Sequence, residues 1–286
     1  MLCASLGVLA EHAALALGAS ASVASVGEAA ALLSLLTKVD DEVIDAAAFH
    51  GGPLRCGGHR ALRRRVRSYL APTLDSVLSG RPARNEARCE LAAEVGRRLR
   101  RLAADRDRLD RLHAVICAGW ETQVRAVDLL SRDPAQSTLS ELATVTASIS
   151  GDWLLMITMV GGLPEDAARG VSDEEMKAFE RWGWHIQRAD ALADFVKDVE
   201  DGLANSWAGR TCYARFGAAY RRALARRGSQ TLETMLECCA DACLPTPGEL
   251  DASVRDVALL GEVATDLSWI HAMLVGRWQA RRAEVA

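Results

Sequence analysis

Apolar residues recur three and four positions apart along nearly the whole chain, and no long stretch alternates apolar with polar residues. The first spacing places apolar side chains on one face of an α-helix, whereas alternation would indicate strands. Prolines and glycine-rich clusters separate the periodic segments, as is usual at helix ends. The pattern predicts helices over residues 5–18, 26–48, 58–78, 84–106, 108–132, 138–160, 165–170, 173–203, 210–227, 229–243 and 249–282.

The fold class expected from this pattern is all-α, with about ten helices. No internal repeat, low-complexity linker or shift in composition divides the chain, so we expect residues 1–286 to form a single domain. One helix start is marked by Ser172 and the three acids that follow it, because the helix dipole favours negative charge at an N-terminus.

Composition argues against nucleic-acid binding, zinc binding, a membrane span and secretion. The 34 Lys and Arg against 38 Asp and Glu, a net charge of −4, give no basic footprint, so no nucleic-acid partner is expected. The cluster CCADAC, residues 238–243, lacks a nearby fourth ligand, which favours free thiols over zinc. No window is apolar for long enough to predict a transmembrane segment. The first residues lack the basic segment of a secretory signal, so we expect a cytoplasmic protein with reduced cysteines.

The segment 190–201 combines an acidic face with an apolar face. Its four aspartates are Asp190, Asp194, Asp198 and Asp201. At about 100° per residue they fall within a sector of roughly 80°. Like charges one turn apart destabilise a helix by roughly 0.2–0.5 kcal/mol per pair. Because Lys197 is the one basic residue between them, the stripe is unfavourable without a counter-ion.

A second acidic pair, Asp41 and Asp45, lies in TKVDDEVID, residues 37–45. The two side chains are one helical turn apart on one face, with apolar residues on another, while Asp40 and Glu42 point elsewhere. The chain thus contains two DxxxD pairs on apolar-backed helices. One such pair is common on solvated helices, whereas two of them raise the question of a shared ligand.

Magnesium chemistry matches this arrangement. Mg²⁺ takes oxygen ligands and is usually held by one or two carboxylates together with substrate phosphates. Two facing carboxylate helices can therefore bracket a group of Mg²⁺ ions and attract a diphosphate. The metal would neutralise the leaving diphosphate and promote cleavage of an allylic carbon–oxygen bond.

The motifs resemble those of the class I isoprenoid synthase superfamily, within it the squalene/phytoene synthase branch and its terpene-synthase relatives. Residues 41–45, DEVID, resemble the first DxxxD motif of that branch, and residues 192–201, LADFVKDVED, resemble its second. Residues 145–156, VTASISGDWLLM, resemble a helix that breaks or bends beside the cavity. Asp194 stands where phytoene-type enzymes more often have Asn, which makes the second motif more similar to bacterial large-terpene-type synthases.

The resemblance implies helices around a central apolar cavity, several Mg²⁺ ions and a linear polyprenyl diphosphate substrate. It implies that metal is held by Asp41, Asp45, Asp194, Asp198 and Asp201, of which the first four are the catalytic set. Many helical prenyl enzymes are homodimers, so the resemblance also admits a homodimer here.

Further roles are expected for basic and aromatic residues. The resemblance implies a diphosphate contact for Lys197. Diphosphate contacts are also expected for Arg210, Tyr213 and Arg215, where the two guanidinium groups match phosphate oxygens. The cavity wall is expected to include Trp153 and Trp207, whose ring faces can stabilise a carbocation. Each has a simpler alternative: an internal salt bridge for Lys197, solvent exposure for the arginines and core packing for the tryptophans.

Three functions remain open from the sequence. The first is a Mg²⁺-dependent terpene synthase that ionises one polyprenyl diphosphate and forms a linear or cyclic terpene. The second is an enzyme of the same fold that condenses two prenyl diphosphates. The third is a non-catalytic helical scaffold whose acidic stripes bind a basic partner or nothing.

Overall fold

A computed structural model describes residues 2–49, 59–130, 139–194 and 257–285. Within these ranges the chain forms α-helices joined by turns, without a strand, which confirms the all-α prediction. The described helices are α1 (Leu2–Ala16), α2 (Val23–Phe49), α3 (His59–Ser79), α4 (Ala87–Leu102), α5 (Arg106–Leu130), α6 (Leu139–Gly161), α7 (Asp173–Ala193), α8 (Ala258–Glu262) and α9 (Ala264–Val285).

The first six helices and the start of α7 lie where the apolar periodicity predicts them, with ends displaced by a few residues. The predicted helices 210–227 and 229–243 lie outside the described residues. That residues 1–286 form one domain, and that the chain forms a homodimer, stay predictions.

The predicted short helix at 165–170 is wrong, because this segment forms an irregular turn. Its polar groups are used by distant partners. The Asp166 carboxylate accepts hydrogen bonds from the N–H groups of residues 20–22, just before α2 begins. The Arg108 guanidinium donates to the carbonyls of Pro164, at 2.8 Å, and Ala167, at 3.4 Å. These long-range bonds replace the local ones that a helix would need.

Three other expectations are corrected. The predicted helix 249–282 is interrupted at Val263, which separates α8 from α9. Prolines are expected between helices, yet Pro72 lies inside α3, where it removes one backbone donor. The segment 145–156 contains no break, because it lies within α6, which is continuous from Leu139 to Gly161; a bend there stays a prediction.

A capping box starts α7. The Ser172 N–H donates to Glu175 Oε2 at 2.7 Å, and the Glu175 N–H donates to Ser172 Oγ at 3.2 Å. Arg169 adds two bonds to the same carboxylate, at 2.6 and 2.7 Å. Burial opposes these contacts, but together they lower the pKa of Glu175. The acidic N-terminus predicted for this helix is thus a capping box, in which Ser172 and Glu175 bond to each other's backbone N–H groups.

The core is formed where α6 packs between α1, α2, α5 and α7. Its largest fully buried side chains include Trp182 and Phe179 of α7 and Leu6 and Leu9 of α1. The helix pair α3 and α4 packs on this body through α5 and α2. These contacts hold α2 and α7, the two acid-bearing helices, on a common support.

The C-terminal helix α9 lies against α7 and α1. The His12 ring of α1 and the Asp266 carboxylate of α9 are 2.6 Å apart. Among the described helices, none is both long enough and apolar enough to cross a membrane. The cysteines within the described ranges, Cys3, Cys89 and Cys117, are free thiols.

The contact between α3 and α4 depends on Gly96. A Cβ at this position would lie 2.1 Å from the carbonyl oxygen of Val77, a backbone atom that cannot move aside without displacing α3. By contrast, no described atom lies within 4 Å of a Cβ placed at Gly276 on α9.

We predict that Gly96→Ala lowers the free energy of unfolding by about 1–3 kcal/mol, because the two helices must separate to accommodate the methyl group. Gly276→Ala, the matched control, should raise that energy by up to about 1 kcal/mol, since alanine is the better helix former. Urea denaturation followed by circular dichroism measures both. A Gly96→Ala variant as stable as the wild type would show that the helices do not approach this closely.

Candidate active site

The carboxylate of Asp41 on α2 interacts through its charge with that of Asp190 on α7. Asp190 lies in the last turn of α7, and Asp194 follows directly after the helix, with its N–H donating to the Asp190 carbonyl at 2.9 Å. Both are partly buried, as is Asp41 on α2. Burial, followed by the negative charges of Asp194 and Asp41, raises the pKa of Asp190 to about 7. The two acidic helices, far apart in sequence, are therefore close enough for their charges to interact.

Two basic side chains balance part of this charge. Lys38 Nζ lies 2.9 Å from Asp41 Oδ2 and 3.3 Å from Glu42 Oε1. Although burial lowers the pKa of Lys38, its contacts with Asp41 and Glu42 raise that pKa above its ordinary value. On the other side, Arg277 Nη2 of α9 donates to Asp194 Oδ1 at 3.1 Å. The positive charges of Arg277 and Lys38 both oppose the rise in the pKa of Asp190.

The donor set suits a hard divalent cation. Three carboxylates interact here with two basic groups; burial is the main cause of the raised pKa of Asp190, the charges of Asp194 and Asp41 add to it, and those of Arg277 and Lys38 oppose it. Carboxylate oxygens are the ligands that Mg²⁺ prefers. Within the described residues, no group of three or more His, Cys, Asp or Glu side chains is arranged to hold a metal ion. The part that α2 and α7 contribute here therefore fits a metal site without completing one.

Apart from Trp153, the predicted site residues divide into three groups. Asp41 and Asp194 lie at the shared electrostatic site. Asp45 follows one turn later on α2, and nothing is described of its side chain. Outside the described residues lie Asp198, Asp201, Lys197, Arg210, Tyr213, Arg215 and Trp207. Their roles, and metal binding by all five predicted aspartates, stay predictions.

Trp153 on α6 is partly buried and packs against the apolar core. Its neighbour Asp152 accepts a hydrogen bond from Thr122 Oγ1 of α5 at 2.8 Å. Burial raises the pKa of Asp152, while the Thr122 bond opposes that change and the charge of Glu180 adds to it. A place for Trp153 in a cavity wall stays a prediction.

Two basic residues at the site, Lys38 and Arg277, were not identified from the sequence. Lys38 lies three residues before Asp41, a spacing that brings side chains together on a helix. Arg277 is 83 residues from Asp194, and no local pattern connects them. Asp190 was recognised as part of the acidic stripe but not as the residue on which the charges converge.

Asp40 has a different environment from Asp41. It is 3% exposed and faces α3, α4 and α5, where Arg88 Nη1 lies 3.7 Å from its Oδ1 atom. Burial raises the pKa of Asp40 to about 7, and the negative charge of Asp41 adds to this rise. The positive charge of Arg88 opposes it, as do the polar groups of Tyr69 and Trp120. No hydrogen bond of ordinary length and angle reaches either carboxylate oxygen. Asp40 therefore has other neighbours than Asp41, in agreement with the expectation that it points away from the Asp41 face.

No protein-family model matches the sequence, and no curated protein matches it by sequence. Among solved structures, the chain is similar to the crystal structure of a geranylgeranyl pyrophosphate synthetase from Pyrococcus horikoshii Ot3. The sequence identity is 12%, the match covers 99% of this chain and 96% of that chain, and the TM-score is 0.41. At this TM-score and identity the likeness assigns no activity to this chain.

The raised pKa of Asp40 predicts a pH-dependent stability. A carboxyl whose folded pKa of about 7 exceeds its ordinary value of 3.8 binds protons more tightly in the folded state. The folded state therefore loses stability as the pH rises from about 4 to about 7. One pKa unit corresponds to about 1.4 kcal/mol, so the loss from Asp40 amounts to a few kcal/mol at most.

We predict that Asp40→Asn reduces the fall in unfolding free energy between pH 5 and pH 8, measured by urea denaturation with EDTA present. Asp107→Asn, which alters an exposed carboxyl on α5, should retain the wild-type slope. Equal slopes for Asp40→Asn and the wild type would contradict a protonated Asp40 in the folded protein.

Proposed function

We propose that this chain is a Mg²⁺-dependent class I terpene synthase that ionises a linear polyprenyl diphosphate, releases pyrophosphate and forms a linear or cyclic terpene. One observation carries the proposal: Asp41 of α2 and Asp194, directly after α7, one from each DxxxD pair, both act electrostatically on Asp190. A shared cation would explain why two acid-bearing helices are held near one another.

The proposed metal ligands are Asp41, Asp45, Asp194, Asp198 and Asp201. Bound Mg²⁺ would supply positive charge to the departing diphosphate and so favour its release. The basic groups of the site have a second use, since Lys38 and Arg277 can pair with phosphate oxygens as well as with carboxylates. Arg277 is better suited than lysine to hold a phosphate by two parallel bonds.

The surrounding helices would keep water from the reacting carbon. The described body of the protein is rich in Leu, Ile, Val and Ala, and it contains Trp120 and Trp182 as buried aromatic groups. A carbocation formed in such surroundings meets few nucleophiles, and aromatic ring faces stabilise it. We propose that Trp153 and Trp207 belong to this wall and that Lys197, Arg210, Tyr213 and Arg215 assist in binding the diphosphate.

The test is release of pyrophosphate from single prenyl diphosphates of ten to twenty-five carbons, with Mg²⁺ or with EDTA, followed by gas chromatography of the extract. We expect Mg²⁺-dependent release, and a loss of about 100-fold or more in kcat for Asp41→Asn and for Asp194→Asn. The extracted hydrocarbon would identify the product.

Asp107→Asn is the matched control, since it neutralises an exposed aspartate on another helix and should retain full activity. The same panel supplied in pairs tests the condensing alternative, which predicts turnover only when an acceptor is present. Pyrophosphate release that does not depend on Mg²⁺ would refute the proposal. No release from any substrate, alone or in pairs, would also refute it and would favour the scaffold alternative.

A further inference from the structure

Directly behind the first acidic pair lies a buried polar cluster, formed by Asp40 with Arg88, Tyr69 and Trp120. Each residue comes from a different helix: α2, α4, α3 and α5 respectively. Arg88 connects the cluster, because its Nη1 atom lies 3.7 Å from Asp40 Oδ1 and its guanidinium carbon lies 3.6 Å from the centre of the Tyr69 ring. Four helices therefore converge on the residue that precedes Asp41.

This cluster is an unfavourable way to fill the interior. Neither oxygen of Asp40, nor Nη1 of Arg88, nor Nε1 of Trp120 has a hydrogen-bond partner of ordinary length and angle, although all four atoms are buried. Tyr69 and Trp120 are near enough to Asp40 to lower its pKa, but their polar groups are not aligned well. Buried ion pairs often add nothing to stability compared with apolar side chains of similar size, and an incomplete polar network is worse than an apolar one. Stability alone therefore does not account for the cluster.

The position of Asp40 on α2 allows the cluster to fix the rotation of this helix. Asp40 lies on the buried face of the helix with Leu33, Leu36 and Ile44. Aliphatic side chains can repack after a small rotation or sliding of the helix, whereas an ion pair restricts both its direction and its distance. Because consecutive residues are about 100° apart, fixing Asp40 also fixes the direction of Asp41.

We infer that the Asp40–Arg88 pair, supported by Tyr69 and Trp120, is a positioning element that sets the rotation of α2 and so directs Asp41 towards Asp190 of α7. The inference rests on the proposed function for the role of Asp41 and Asp45 as metal ligands. Asp40 itself contacts neither metal nor substrate. It acts through the backbone of α2, and Arg88 acts through Asp40.

The decisive variant is the double substitution Asp40→Leu/Arg88→Met, which replaces the pair with apolar side chains of similar length. Mg²⁺ binding is measured by calorimetry in the presence of inorganic pyrophosphate, and thermal unfolding is measured on the same samples. We expect the double variant to unfold at or above the wild-type temperature. We also expect it to bind Mg²⁺ about 10–100-fold more weakly, which is the usual loss when a residue that orients a metal ligand is removed.

Two controls separate positioning from general destabilisation. Leu99→Ala alters a fully buried residue on α4, the helix that carries Arg88, and should lower the unfolding temperature without changing Mg²⁺ affinity. Arg88→Lys retains a positive charge opposite Asp40 and should recover part of the affinity that Arg88→Met loses.

The outcomes distinguish this inference from the proposed function. If the Asp41→Asn variant binds Mg²⁺ as tightly as the wild type, or if the wild type binds no Mg²⁺, the proposed metal site is wrong and the inference falls with it. Weakened binding in Asp41→Asn, with wild-type affinity in the double variant, would overturn the positioning role alone. A Leu99→Ala variant that loses affinity as severely as the double variant would also overturn it.

Discussion

The placement of α2 relative to α7 is the constraint on which the candidate site depends. Asp41 and Asp194 both act on Asp190 through their charges, so the two helices must hold like charges near one another. Such repulsion drives mobile groups apart; the ion pairs of Lys38 and Arg277 reduce it, and the surrounding packing resists what is left. Helix α6 supplies that resistance because it packs against both acidic helices. The apolar core therefore has two roles: it stabilises the fold and it keeps the acids together.

The helices could be predicted from the sequence because their apolar spacing is regular and their ends carry ordinary signals, such as Ser172 followed by Glu175. The segment 165–170 could not, because its structure depends on Arg108 and Asp166, whose partners lie far along the chain. Local propensity contains no information about such bonds. The same limit applies to the interruption at Val263, where the apolar pattern continues although the helix does not.

The candidate site likewise combines local features, which the sequence indicates, with tertiary contacts, which it does not. The contact between Lys38 and Asp41 follows from helix geometry, and helical projection places Asp40 in the middle of an apolar face. Those features are local and could be derived from the sequence. The ion pair of Arg277 with Asp194 and the approach of Arg88 to Asp40 are tertiary contacts, fixed by how α9 and α4 pack. Only the folded structure reveals them.

The distribution of charge bears on whether the site is catalytic or a docking surface for a basic partner. A docking surface would present exposed carboxylates with unused acceptor capacity, because electrostatic complementarity acts between accessible groups. Here Lys38 and Arg277 already compensate Asp41 and Asp194, and Asp190 is partly buried. A small divalent cation can replace such counter-ions, since it brings more charge into a confined space than an ammonium or guanidinium group does. The displaced basic groups would then lie beside any anion that accompanied the cation. The site's own counter-ions thus suit a ligand made of cation and anion together, which favours a metal–diphosphate complex over a basic protein surface.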